Sequence, residues 1–108
     1  MKPYLSTRVE RRNRTHMEQI QRARAIFAGT VQGVGFRFTA ERIALRLNMT
    51  GFARNLPNGT VEIICEGEIR QIKAFLDEIE ESMYGYISDS SVEWEPARGE
   101  FSSFDIKF

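Results

Sequence analysis

The chain has 108 residues, 42% of them hydrophobic, with a single cysteine, a single histidine, and 15 basic residues balanced by 15 acidic ones. That length supports one small domain with its own core, and a second domain is not expected. No apolar run of about 20 residues and no signal-type hydrophobic segment occurs, so a spanning helix is excluded and a cytoplasmic location is the default expectation. The zero net charge hides a division: Lys2, Arg8, Arg11, Arg12, Arg14, Arg22 and Arg24 face only Glu10 and Glu18 in residues 1–24, which leaves the rest of the chain acidic. An acidic body argues against a nucleic-acid partner.

Residues 1–22 lack sustained apolar periodicity and read as a flexible basic N-terminal extension, with the domain proper over residues 23–108. Met17 is a candidate natural start; a transit peptide fits poorly, because Glu10 and Glu18 interrupt a segment that should be poor in acids. A strand is expected over 24–31 and a helix over 37–47, with Phe36, Ala40, Ile43, Ala44 and Leu47 along one helical face. Strands follow at 50–55 and 60–66, joined through the hairpin signal Pro57-Asn58-Gly59. Ile69, Ile72, Phe75, Leu76, Ile79 and Met83 share a face of a second helix over 68–82. Ser82 to Ser90, with Gly85 and several serines, reads as the longest internal loop, before strands at 91–98 and 103–108. The order βαββαβ with a terminal strand predicts an α+β fold: a ferredoxin-like sandwich, its antiparallel sheet carrying two helices on one face and a short fifth strand. In that topology the first two strands run parallel with the third between them, so their ends lie at the same edge, roughly 10 Å apart at about 4.8 Å per strand step.

Chemistry concentrates in the first strand-to-helix connection, Gly29-Thr30-Val31-Gln32-Gly33-Val34-Gly35-Phe36-Arg37. Glycines let successive backbone amides converge, a helix N-terminus adds partial positive charge, and an arginine supplies a fork of donors matched to phosphate oxygens. An arginine in the first helical turn opposes the macrodipole, and a bound anion resolves that conflict. Named nucleotide loops do not fit: no lysine stands where a P-loop needs one, and Phe38 replaces the third glycine of a dinucleotide fingerprint. Cys65 alternates with Val61 and Ile63 and reads as a core residue. With His16 as its only soft companion, it cannot build a zinc site or a nucleophilic triad.

A second constellation, Gly51-Phe52-Ala53-Arg54-Asn55, then Gly59, Val61 and Gly67, accompanies the first. Together the two segments resemble the signatures of the acylphosphatase family. One of these is Gly, any residue, Val-Gln-Gly-Val, any, Phe-Arg, met from Gly29 to Arg37. The other is Gly, aromatic, small apolar, basic, Asn, three residues, Gly, any, Val, five residues, Gly, met from Gly51 to Gly67. The likeness runs from about Arg24 to Phe108. Phe27 stands where an aliphatic residue is usual, Asn58 where Asp is frequent and Asn48 where many members have glycine; each keeps the local chemistry.

The resemblance implies hydrolysis of small acyl phosphates to a carboxylate and inorganic phosphate, by a monomer needing neither metal nor cofactor. Arg37, with the amides of Gln32, Gly33, Val34, Gly35, Phe36 and Arg37, is then expected to hold the phosphoryl group, and Asn55 to position the attacking water. Gln32 also suits a loop-shaping role, and Thr39 a cap or a reach into the site. Arg54, on the opposite strand face from Asn55, reads as a solvated arginine, while Trp94, Phe101, Phe104 and Phe108 read as packing residues. The alternative is a noncatalytic anion-binding or regulatory module of the same family, against which the standalone length speaks. An RNA-binding sheet is disfavoured, because Val61-Glu62-Ile63-Ile64-Cys65-Glu66 carries no stacking aromatics.

Overall fold

Ala23, Ala25 and Phe27 alternate along one strand and Val61, Ile63 and Cys65 along another; in the computed structural model all six are buried on one face of a sheet. The structure describes residues 20–108, so the expectations for His16, Met17 and the extension before residue 20 lie outside the described residues. Its elements are β1 (Ile20–Gly29), α1 (Phe36–Arg46), β2 (Thr50–Asn55), β3 (Val61–Glu68), α2 (Ile69–Ser82), β4 (Ile87–Pro96) and β5 (Phe104–Lys107). They form one five-stranded sheet in the order β4-β1-β3-β2-β5. β3 pairs antiparallel with both β1 and β2, so β1 and β2 run parallel to each other on either side of it. The expected antiparallel arrangement holds for β1 to β4, whereas β5 joins β2 in parallel and makes the whole sheet mixed.

Both helices present the apolar faces that their periodicity required. Phe36, Ala40, Ile43 and Ala44 of α1 and Ile72, Phe75, Leu76 and Ile79 of α2 are buried against the sheet. Phe36 meets Phe27 at 5.1 Å between ring centroids, and Phe75 meets Phe104 edge-on at 5.7 Å. α1 ends at Asn48 in the left-handed conformation (φ 58°), as its side chain permits.

Two strand starts differ most from the sequence reading, each by four residues. β1 starts at Ile20, so residues 20–22 belong to the folded unit and not to the extension. Their polarity disguised them: Arg22 is buried because Glu66, 44 residues later, accepts from its Nε at 2.8 Å. β4 starts at Ile87, so the last four residues of the stretch expected as loop, 87–90, are strand and the turn is confined to 83–86. β4 is an edge strand with largely exposed side chains, and it is held by the β1 backbone, an environment that does not require apolar residues. At its start the chain passes so close to Gly29 (φ 128°) that a Cβ there would lie 2.3 Å from the Tyr86 carbonyl oxygen.

The sheet face away from the helices is sealed by charge. Glu62 accepts from Arg24 and from Arg54, each at 2.6 Å, so Arg54 does lie on the expected face but is ion-paired. The segment 97–103 crosses this face from β4 to β5. On the way the amides of Arg98 and Gly99 donate to the Glu66 carboxylate at 2.7 and 3.0 Å, and Phe101 packs edge-on against Phe52 beneath the Arg22 guanidinium. Burial by itself raises the pKa of both carboxyls. The hydrogen bonds from Arg24 and Arg54 to Glu62, and from Arg98, Arg22 and Gly99 to Glu66, outweigh it and hold both below the usual glutamate value. A depressed folded pKa contributes stability that is complete above the unfolded value and is lost as the pH falls through the folded one. Denaturant melts at successive pH values are therefore expected to show stability dropping below the ordinary glutamate range. Glu66→Gln, which leaves the buried Arg22 with the exposed Glu100 as its remaining carboxylate partner, is expected to cost about 1.5–3 kcal/mol at neutral pH and to flatten that acid limb.

Candidate active site

β1 delivers the chain into a loop whose Gly33 and Gly35 both have φ 79°, a conformation that side-chain-bearing residues rarely adopt. Gly35 is the N-cap of α1 and has no side chain with which to cap it, and no acidic residue occupies the first turn. The Thr39 amide donates to the Gly35 carbonyl at 3.0 Å, which leaves the amides of Phe36, Arg37 and Phe38 without an intrahelical acceptor. The positive end of the helix dipole thus faces outward with its donors free for an anion.

A cleft of about 250 Å³ opens at this point, lined by Val31, Gly33, Gly35, Phe36, Arg37, Phe38 and Asn55. Arg37 and Asn55, eighteen residues apart in sequence, meet there because β1 and β2 end at the same edge of the sheet with β3 between them. Asn55 closes the β2–β3 ladder opposite Val61, and among the described residues its carboxamide has no hydrogen-bond partner. Arg37 is oriented by the last strand: its Nη1 donates to the Lys107 carbonyl at 2.9 Å, and the Phe108 ring lies 4.7 Å from its guanidinium carbon.

Gln32 does not line the cleft. Its Nε2 donates to the carbonyls of Leu56 and Thr60 at 2.8 and 2.9 Å, tying the glycine loop to the β2–β3 hairpin. That hairpin is tight: the Leu56 amide donates to the Thr60 carbonyl, and Asn58 Oδ1 accepts from the Thr60 amide at 3.1 Å. Gln32 therefore fixes the separation between the loop that carries Arg37 and the strand that carries Asn55. Val34 is partly buried against the core and is also absent from the lining. Thr39 is half-buried and engaged through its amide, as above.

No carboxylate, imidazole or thiol borders the cleft, and no group of three such side chains is poised for a metal among the described residues. Cys65 is fully buried; burial, with a lesser contribution from the Glu66 charge, pushes its thiol up to about 12, so it is inert near neutrality.

The acylphosphatase family model matches residues 23–106. The chain belongs to the acylphosphatase family. A curated acylphosphatase from Acidothermus cellulolyticus is 38% identical over 91 residues, covering 81% of this chain and 86% of that protein. The crystal structure of acylphosphatase from Bacillus subtilis superposes with a TM-score of 0.76 at 29% identity, over 82% of this chain and 99% of the other. Full-length HypF in a phosphate- and nucleotide-bound form contains a similar unit (TM-score 0.71, 31% identity, 83% of this chain and 12% of that one). Membership supports an acylphosphatase enzyme acting on an acyl phosphate with phosphate as product, built on the ferredoxin-like fold.

Four residues at this cleft escaped the sequence reading. Val31 and Phe38 line the cleft, Lys107 orients Arg37 through its carbonyl, and Phe108, expected as packing, is 93% exposed beside the guanidinium. Phe38 did carry a signal, because it is a large apolar residue that falls outside the buried stripe of α1. The other expected packing aromatics divide: Phe104 is buried and Phe101 packs on Phe52, whereas Trp94 is 42% exposed on the edge strand. No helix among the described residues is long and apolar enough to cross a membrane.

Proposed function

We propose that this chain hydrolyses small acyl phosphates by in-line attack of a water held by Asn55 on a phosphoryl group held by Arg37 and the amides of the cleft-lining residues Gly33, Gly35, Phe36 and Arg37. The carrying observation is the cleft itself, in which an uncapped helix N-terminus, a guanidinium and an unpartnered carboxamide converge. An acyl phosphate is a mixed anhydride with a good leaving group, so the reaction needs orientation and charge stabilisation more than a strong base. The water oxygen bonds to phosphorus as the bond from phosphorus to the acyl oxygen breaks, and its electron pair leaves with the carboxylate. One water proton stays on the new phosphate hydroxyl and the other passes to a phosphoryl oxygen, giving carboxylate and dihydrogen phosphate. No side chain has to accept that proton, consistent with a lining that offers no general base.

Among the described residues the lining offers no carboxylate, imidazole or thiolate to a divalent ion, which supports a metal-independent enzyme, and we take the chain to act as a cytoplasmic monomer. Phosphate release from acetyl phosphate is therefore expected without added metal and in the presence of EDTA. Activity abolished by chelation and restored by a divalent ion would overturn the mechanism. Absence of any turnover, with inorganic phosphate still bound, would favour a noncatalytic anion-binding module instead.

A further inference from the structure

We propose that Phe52, on the sheet face away from the helices, is a positioning residue for Arg37 and acts through the side chain and then the carbonyl of Lys107. The inference rests on the hydrolytic reading above and adds to it a residue that does not line the cleft. β5 has four residues, lies at the sheet edge and is paired on one side only, with β2. A short strand held from one side frays at its ends unless side chains pin it. Phe104 is buried against Phe75 and pins the start of β5 in the core. The other end has no such anchor: Lys107 is exposed and so is Phe108 after it. Yet it is this end that supplies the carbonyl to which Arg37 Nη1 donates at 2.9 Å.

The register sets Arg54 of β2 opposite Lys107, and like charges directly opposed weaken a strand pair. Two partners on the outer face relieve the repulsion. Arg54 donates to Glu62 at 2.6 Å, and the Lys107 ammonium lies 4.0 Å from the centroid of the Phe52 ring, a cation–π contact. Arg54 also approaches that ring, but at 5.6 Å and already paired, so Lys107 is the cation that the ring holds. Phe52 is itself fixed, because β2 is flanked by β3 and β5 and Phe101 packs edge-on at 5.9 Å beneath Arg22. An unbroken line of contacts therefore runs from the Phe52 ring to the Lys107 ammonium, and from the Lys107 carbonyl to the Arg37 guanidinium. Releasing the Lys107 side chain lets its carbonyl drift, and the arginine fork loses the orientation that matches it to two phosphate oxygens.

The test places Phe52→Leu, Phe52→Trp and Lys107→Met in the wild-type chain and in Arg37→Ala. Two quantities are read: kcat/KM for acetyl phosphate, and the affinity for inorganic phosphate by calorimetry, which requires no turnover. In the wild-type background Phe52→Leu and Lys107→Met are each expected to lower both about fivefold, and the two together no further than either alone. Phe52→Trp, which keeps a ring for the ammonium, is expected to stay near wild type. With Arg37 absent, neither substitution is expected to change the residual rate or affinity, because the coupling in such a cycle belongs to Arg37. Lys107→Met alters an exposed side chain and keeps the carbonyl, so it tests the relay even where Phe52→Leu fails to fold. Phosphate affinity lowered by Lys107→Met only when Arg37 is present, in a protein that does not turn over acetyl phosphate, would support the relay and sink the hydrolytic reading. Equal losses in both backgrounds, or wild-type values in Lys107→Met, would overturn the relay and leave hydrolysis standing.

Discussion

Replacing Arg37 with alanine is expected to lower the turnover of acetyl phosphate by about two or more orders of magnitude and to weaken inhibition by inorganic phosphate. The guanidinium borders the cleft beside the free amides of the α1 N-terminus, and among the described residues no other cationic side chain lines it. Charge on the phosphoryl oxygens is present in the bound substrate and redistributes in the transition state, so loss of this donor affects ground-state binding as well as rate. Arg37→Lys is expected to recover only part of the loss, because an ammonium keeps the charge but not the planar fork that engages two oxygens at once. The Lys107 carbonyl and the Phe108 ring hold the guanidinium in place and cannot be served by the shorter donor geometry of lysine. Steady-state kinetics with phosphate as inhibitor reads both quantities. Normal phosphate affinity in Arg37→Ala would show that the anion is held by the loop amides alone.

Asn55→Ala is expected to lower turnover by about 100-fold while phosphate binds with nearly unchanged affinity, since a misplaced nucleophile costs on that scale. The carboxamide is half-buried at the end of β2, faces the cleft, and has no partner in the chain among the described residues. A side chain whose role was structural, such as closing the hairpin, would show hydrogen bonds to the turn. The turn is instead closed by the Leu56 amide, by Asn58 and by the side chain of Gln32. Truncation therefore removes a water-positioning group without loosening the hairpin, and circular dichroism with thermal melts is expected to match wild type. The two variants separate the roles: one loses phosphate affinity and rate, the other rate alone. Near-normal turnover in Asn55→Ala would mean that the water is positioned by something else in the cleft.

Local pattern determined much of this protein. The apolar stripes of α1 and α2, the alternation of Val61, Ile63 and Cys65, the Asn-Gly turn and the glycine loop ending in Arg37 each follow from interactions between residues a few positions apart, and each is legible without a structure. The parallel relation of β1 and β2 followed from the order of elements and was enough to bring Arg37 and Asn55 to one sheet edge. Tertiary structure alone decided the rest. Arg22 enters the fold because the carboxylates of Glu66, itself held by the Arg98 and Gly99 amides, and of Glu100 compensate its burial, and the charge on a distant carboxylate leaves no mark on the residues around position 22. Ser88 to Ser91 become strand because the backbone of β1 supplies their hydrogen bonds, and an edge strand asks nothing apolar of its side chains. Gln32 turned out to brace the hairpin, Lys107 to orient Arg37, and Phe38 to face the cleft because the sheet edge gathers loop, hairpin and last strand at one place. Periodicity records which side of an element is buried; which distant element stands opposite its exposed side is a property of the assembled sheet.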